Sequence, residues 1–266
     1  MLQDPAVELV YVASPQSHHY EHAKMCLFHG KHVLLQKAFT VNAGQAQELM
    51  DLAKEKNLLL AEAIWTRYMP SRKMILDLVE SGVIGKVTSL TANLGYVLTE
   101  VERMRRPELA GGALLDLGVY PINFALMVFS GAVEKVTSTA VMSAEGVDFM
   151  NSITLTFAGG QMAVLHSNML AQTDRQGVIN GDKGYLEVQN INNCEEIRVF
   201  DLNREMTARY TVTEQINGYE YEVIACMKAI ERGAIECEEM PHAETLRVMK
   251  LMDEIREQWG MRYPCE

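Results

Sequence analysis

The sequence predicts an α/β unit followed by an α+β unit: a partial Rossmann-like parallel sheet, then a large, mainly antiparallel open sheet. Two patterns carry this. Residues 7 to 62 alternate short apolar runs with longer helical stretches, the mark of parallel β-α-β units with right-handed crossovers. From Val133 to Val212 the texture becomes alternating strands separated by turn residues.

In order, Val7 to Ala13 reads as a buried strand ended by Ser14-Pro15, and His18 to Phe28 as a helix stopped by Gly30. His32 to Leu35 is the next strand, Ala43 to Lys56 the next helix, and Leu58 to Ala61 a third strand. Ligands of such sheets sit beyond the carboxyl ends of the strands. Those ends are Ser14-Pro15-Gln16, Gln36-Lys37 and Glu62 to Trp65. A helix over Arg72 to Glu80 and a strand from Lys86 to Tyr96 follow. Ile153, Leu155 and Phe157 alternate with threonines before the Ala158-Gly159-Gly160 turn, and Asp182-Lys183-Gly184 marks another. Two helices, Tyr219 to Arg232 and Ala243 to Glu257, close the chain.

Composition narrows the function classes. With 48% hydrophobic and 22% charged residues the chain reads as a soluble globular protein, and a net charge of -11 argues against nucleic-acid binding. Its apolar stretches, such as Ile122 to Phe129, are interrupted and too short for a membrane span, so no membrane association is expected. The start, Met1 to Pro5, shows no secretory signal. Five scattered cysteines without a C-x-x-C pair favour free thiols in a reducing compartment, so a cytoplasmic location is expected. His18, His19 and His22 open one helix without a cysteine or suitable carboxylate nearby, so no metal site is expected.

The chemistry concentrates in Lys37 and in Gly111 to Tyr120. Asp116 and Tyr120 are four apart and share a face if their segment is helical, although Gly118 and Pro121 disfavour a helix interior. A tyrosine titrates near ~10, so acid/base work at neutral pH calls for a cation that favours the phenolate. Lys37, ending its strand, is the candidate for that field. Taken alone, Asp-x-x-x-Tyr reads as a cap and a core aromatic, and Lys37 as a solvated lysine. The predicted fold is what brings them together. Trp65 and Arg67, past the third strand, could stack on a ring and hold a phosphate or hydroxyl, or else pack between domains and pair with an acid.

Several stretches resemble the glucose-fructose oxidoreductase/inositol dehydrogenase family. They are Ala13-Ser14-Pro15-Gln16 with His19, Gly30 to Lys37, Glu62-Ala63-Ile64-Trp65-Thr66-Arg67-Tyr68, Gly111 to Tyr120, and Gly218 to Glu222. The resemblance implies an NADP- or NAD-dependent dehydrogenase that moves a hydride at a secondary alcohol of a trans-dihydrodiol or of an aldose such as D-xylose. It implies Tyr120 as acid/base, Lys37 supporting its phenolate, and Asp116 orienting substrate with Trp65 and Arg67. Ser14, Pro15, Gln16, His19, Gln36 and Lys37 would line the cofactor. It also implies a homodimer formed through the antiparallel sheet.

Against the family pattern, Glu-Lys-Pro is here Gln36-Lys37-Ala38, which removes a carboxylate beside the nicotinamide. Residues 1–64 correspond to a dinucleotide-binding domain lacking its first two β-α units, roughly sixty residues by unit size, and with them the glycine-rich turn. Residues 65–266 correspond to the substrate-binding and dimerisation domain. These departures keep open a second expectation, a non-catalytic nucleotide- or sugar-binding regulator, or an inactive truncated form.

Overall fold

The computed structural model describes residues 1–212 and 215–266. Its first sheet is built from β1 (Leu9–Val12), β2 (His32–Gln36) and β3 (Leu60–Ala63), in the order β1-β2-β3, all parallel. The connecting helices are α1 (His19–Phe28) and α2 (Ala43–Lys56). Parallel strands covered on both faces are buried on both sides, and all four residues of β3 are buried, Glu62 among them. Asn42 caps α2, its side chain accepting from Gln45 N at 2.9 Å, and Asn57 ends it in a left-handed conformation.

The third strand starts two residues later than the leucine run predicts. Leu58 N returns to Ala53 O at 3.0 Å, so the helix exit consumes Leu58, and the ladder pairs Val33 with Leu60. Glu62 therefore lies inside β3 rather than beyond it.

The second sheet has eight strands: β4 (Val87–Gly95), β5 (Val133–Met142), β6 (Asp148–Phe157), β7 (Met162–Asn168), β8 (Gly177–Gly181), β9 (Gly184–Gln189), β10 (Glu196–Asp201) and β11 (Met206–Thr211). Their order is β11-β10-β9-β8-β4-β7-β6-β5. Every pairing is antiparallel except β4 with β7, which run parallel from Ser89↔Met162 to Gly95↔Asn168. In β6 Ile153, Leu155 and Phe157 point to the core while the intervening threonines are half-buried.

Helix α3 (Pro70–Glu80) begins on a proline at its first position, and α4 (Glu102–Arg105) is a single turn. A wide π-turn over Leu114–Gly118 runs into α5 (Val119–Val128), so the helical backbone widens just ahead of Pro121. By length and composition the helical stretch Pro107–Val128 does reach what a membrane crossing requires. Here 89% of its apolar window is buried inside the protein, which makes it the central core helix.

Helix α6 (Glu220–Glu231) and helix α7 (His242–Gln258) follow. Thr245 Oγ1 donates to Glu62 Oε2 at 2.8 Å, Asp253 Oδ2 accepts from Ala43 N at 2.8 Å, and Arg256 Nη2 donates to Val41 O at 3.1 Å. Gln258 bonds Ser138 and the Val136 carbonyl of β5, and Arg247 bonds the Gly131 carbonyl. Helix α7, which a sequence boundary at 64/65 assigns to the second unit, thus packs on both units.

Candidate active site

The carboxyl ends of β1 and β2 place Ser14–Gln16 and Gln36–Lys37 on one wall of a cleft of about 260 Å³, with Arg103 and Asp116 on the other. Asp116 reaches that wall because its helical segment is anchored at its start. Leu114 N donates to the buried Asp148 Oδ2 at 2.9 Å, and Asn151 Nδ2 donates to the same oxygen at 2.8 Å. Gly112 is required there: its φ is +112°, and a Cβ would lie 2.4 Å from Asp148 Oδ1. Tyr263 donates to Gly111 O at 2.7 Å and fixes the same loop.

Asp116 is the electrostatic centre. Its Oδ1 accepts from Arg103 Nη1 at 3.1 Å, Lys37 Nζ at 3.2 Å and Gln16 Nε2 at 3.3 Å. Lys37 Nζ also donates to the Asp116 carbonyl at 2.6 Å. Burial works to raise the Asp116 pKa, but Lys37 and Arg103 outweigh it and hold the carboxyl below its ordinary value.

Tyr120 lies one turn on, 8% exposed, with Lys37 Nζ 5.1 Å from its ring centroid. The expected effect of Lys37 on its hydroxyl is not seen. Burial pushes the phenol well above its ordinary pKa, and the negative charge of Asp116 pushes the same way. The physical reason is that Lys37 spends its hydrogen bonds on Asp116 and meets the ring face of Tyr120. In this state Tyr120 is a protonated phenol.

Trp65, in a 3-10 turn over Trp65–Arg67, stacks on Tyr219 with ring centroids 4.4 Å apart. Its Nε1 is buried and makes no well-formed hydrogen bond among the described residues, but it is directed at the Tyr120 hydroxyl, where it favours the phenolate against burial and Asp116. Arg67 is turned inward: 4% exposed, its Nε donates to Asn123 Oδ1 at 2.9 Å. His19 does not line the cleft. It is fully buried, with Nε2 at 2.8 Å from Ser14 O and Nδ1 at 2.9 Å from Ala38 O, so it ties the β1 and β2 loops together from behind. Gln36 turns its amide onto Tyr11 OH, at 2.7 Å, and its Oε1 accepts from Lys37 N at 2.8 Å. Gln16, expected at the cofactor, is mostly buried and spends its amide on Asp116.

Sequence reasoning missed Arg103 and Asp148. Arg103 sits on a one-turn helix with no motif to mark it, and Asp148 lies on β6, 34 residues along the chain from the Leu114 N–H it accepts. Tyr219 carried a signal only as part of the Gly218–Glu222 stretch.

The arrangement can hold a proton on Tyr120 beside a fixed cation–carboxylate pair, in a place where a carbonyl or alcohol could meet it. Ser14–Gln16 and the end of β2 leave room for a planar ring against Lys37, so these residues fit the nicotinamide end of a dinucleotide. The sequence contains no Gly-x-Gly-x-x-Gly turn of the kind that cradles a pyrophosphate.

Known proteins resemble the chain in sequence and fold. Residues 1–63 match the oxidoreductase family with an NAD-binding Rossmann fold, and residues 73–187 match the GFO/IDH/MocA C-terminal domain. The chain is 33% identical over 271 residues to trans-1,2-dihydrobenzene-1,2-diol dehydrogenase of Xenopus tropicalis, covering 99% of this chain and 82% of that one. It is also 33% identical over 299 residues to D-xylose 1-dehydrogenase (NADP(+)) of Hypocrea jecorina, covering 99% and 76%. Among solved structures, a 3-ketoreductase from Actinomadura kijaniata in complex with NADP superposes with a TM-score of 0.87 at 25% identity, over 96% of this chain and 79% of that one.

Proposed function

The chain belongs to the GFO/IDH/MocA family of oxidoreductases, and from that premise we propose that it moves a hydride between NADP and a secondary-alcohol carbon. The substrate would be a trans-dihydrodiol or an aldose such as D-xylose, with Tyr120 as the acid/base. The observation that carries the reading is the Lys37–Asp116 pair set over Tyr120 at the carboxyl edge of a parallel sheet. Both relatives with about a third of their residues identical are named as dehydrogenases of such substrates.

Each residue has a task. NADP, when bound, supplies the hydride acceptor. Tyr120 holds the proton that leaves the alcohol in oxidation or enters the carbonyl in reduction. Lys37 fixes Asp116 and presents its positive charge to the ring of Tyr120. Asp116 keeps Oδ2 for a substrate hydroxyl while Oδ1 is occupied by three donors. Trp65 and Tyr219 form a flat wall on which a sugar or ring can lie. A homodimer through the open face of the eight-stranded sheet fits the exposure of Val141, Met162, Val164 and Tyr210.

A second reading, a regulator that binds nucleotide or sugar without turnover, is favoured by one observation: the Tyr120 phenol is held well above its ordinary pKa. The deciding experiment incubates the purified chain with NADP and either D-xylose or trans-cyclohexane-1,2-diol, each deuterated at the carbinol carbon. Deuterium appearing on the reduced cofactor supports the dehydrogenase. Saturable NADP binding with no transfer from either substrate supports the regulator.

A further inference from the structure

Behind the cleft, two side chains tie its walls to a common support. Arg256 of α7, 4% exposed, donates from Nη2 to the Val41 carbonyl at 3.1 Å and to Asp253 Oδ1 at 2.7 Å. Asp253 turns its other oxygen to Ala43 N, so the stretch after β2 is held at Val41 and at Ala43. Tyr263, 3% exposed, lies against the same guanidinium, with Arg256 Cζ 5.0 Å from its ring centroid. Its hydroxyl donates to the Gly111 carbonyl of the opposite wall at 2.7 Å. Burial and the nearby Asp148 carboxyl hold this phenol well above its ordinary pKa, so it stays protonated and remains a donor.

Neither wall has slack between these anchors and the chemistry. From Lys37 to Val41 the chain runs through Ala38, Phe39 and Thr40, each at most 1% exposed, and His19 Nδ1 stands 2.9 Å from Ala38 O. From Gly111 to Asp116 it runs through Ala113, Leu114 and Leu115, all fully buried. Gly111 is also pressed onto the loop that carries Arg103. Its N donates to Arg106 O at 3.0 Å, Gly112 N donates to Met104 O at 2.9 Å, and a Cβ on Gly111 would lie 2.5 Å from Arg103 O. A close-packed interior transmits a displacement rather than absorbing it. A shift at Val41 or at Gly111 therefore reaches Lys37 or Asp116, where Lys37 Nζ meets the Asp116 carbonyl at 2.6 Å.

We infer that Tyr263 is a positioning residue of the reaction, with Arg256 as its anchor: together they brace the two walls from behind and set the separation of Lys37 and Asp116. This role deepens the oxidoreductase reading and rests on it. Neither residue lines the cleft, so the effect of the brace passes through the Lys37–Asp116 pair. It adds to the Asp148 cap, which holds the same segment at Leu114. A misplacement of about 1 Å at a reacting centre costs up to about a hundredfold in rate, which is the scale on which such a brace matters.

The test is a double-mutant cycle on the full chain: wild type, Tyr263→Phe, Lys37→Met and the double variant. Tyr263→Phe keeps the ring against Arg256 and removes only the donor to Gly111. NADPH formation with D-xylose or trans-cyclohexane-1,2-diol gives kcat and KM for each protein. In Tyr263→Phe kcat should fall roughly tenfold, with the KM for NADP within about twofold of wild type. In the Lys37→Met background the same change should have little further effect, because the contact that the brace sets is already gone. A bond that serves stability alone lowers the unfolding midpoint and leaves kcat unchanged, and that result overturns the inference. An equal loss of kcat in both backgrounds overturns it too. If the wild type forms no NADPH from either substrate, the dehydrogenase reading fails, and denaturant unfolding of the same four proteins decides the brace without turnover. Non-additive losses of stability keep it, and additive losses overturn it.

Discussion

Lys37 Nζ donates to both the main-chain carbonyl of Asp116, at 2.6 Å, and its Oδ1, at 3.2 Å. One side chain therefore joins the end of β2 to the helical segment that carries Tyr120. Lys37→Met removes both bonds and the main cation opposing the burial of Asp116. Turnover should fall roughly a hundredfold or more, the scale of losing one positioned acid/base partner. Steady-state NADPH formation measures it, and a variant within twofold of the wild type contradicts this role for Lys37.

Arg103 holds the same oxygen at 3.1 Å, but its side chain is 40% exposed. Solvent screens an exposed ion pair, so its share is smaller. Arg103→Ala should lower turnover only severalfold, and the difference from wild type should narrow as salt rises. A loss equal to that of Lys37→Met would mean that Arg103, not Lys37, governs Asp116.

The positions of these two cations show what a sequence can reveal. Lys37 was legible because it ends a strand whose apolar run and place in a β-α-β series are local properties. Asp116 and Tyr120 were legible as residues four apart. Arg103 was not, since nothing in its neighbours points it toward Asp116. Strand β3 was misplaced by two residues because Leu58, Leu59 and Leu60 are equally apolar, and only the return of Leu58 N to Ala53 O separates helix exit from strand. The parallel pairing of β4 with β7 was illegible for a related reason: alternation gives a strand its faces, not its partner. His19 was read as a cofactor residue from resemblance, and its full burial between two loops is a tertiary fact.

Asp148 accepts the Leu114 N–H and has no cation partner among the described residues. It acts as the cap of the segment that presents Asp116. Asp148→Ala should cost about 1–2 kcal/mol of stability, the usual scale for a lost cap. Asp148→Asn, which keeps an acceptor oxygen, should cost less. Denaturant unfolding of the three proteins checks this, and equal stability of wild type and Asp148→Ala contradicts it.

Three buried carboxyls set the pH dependence of stability. Burial pushes Asp148 and Glu62 up to about 7 and Glu222 up to about 8. In the unfolded chain such groups titrate near ~4. Between those limits the folded protein keeps protons that the unfolded chain has released, so their contribution to stability declines as pH rises. Burial lowers the pKa values of His19 and His32, which opposes this decline up to their ordinary value of ~6.5. The thermal midpoint should therefore fall between about pH 6.5 and about pH 8, where the carboxyls ionise. Glu222→Gln, which cannot ionise, should flatten the upper part of that decline. A midpoint that climbs over the same range contradicts the assignment.

The most direct measurement is Tyr120→Phe, read by two signals from one protein: NADPH binding by fluorescence and NADPH formation with an oxidisable sugar or diol. The phenyl ring preserves the contact with Lys37 and removes only the hydroxyl that holds the proton. The expected result is binding within a fewfold of wild type with turnover reduced by roughly a hundredfold or more. Turnover at the wild-type level in Tyr120→Phe would show that the proton moves elsewhere and that the site has been assigned to the wrong residue.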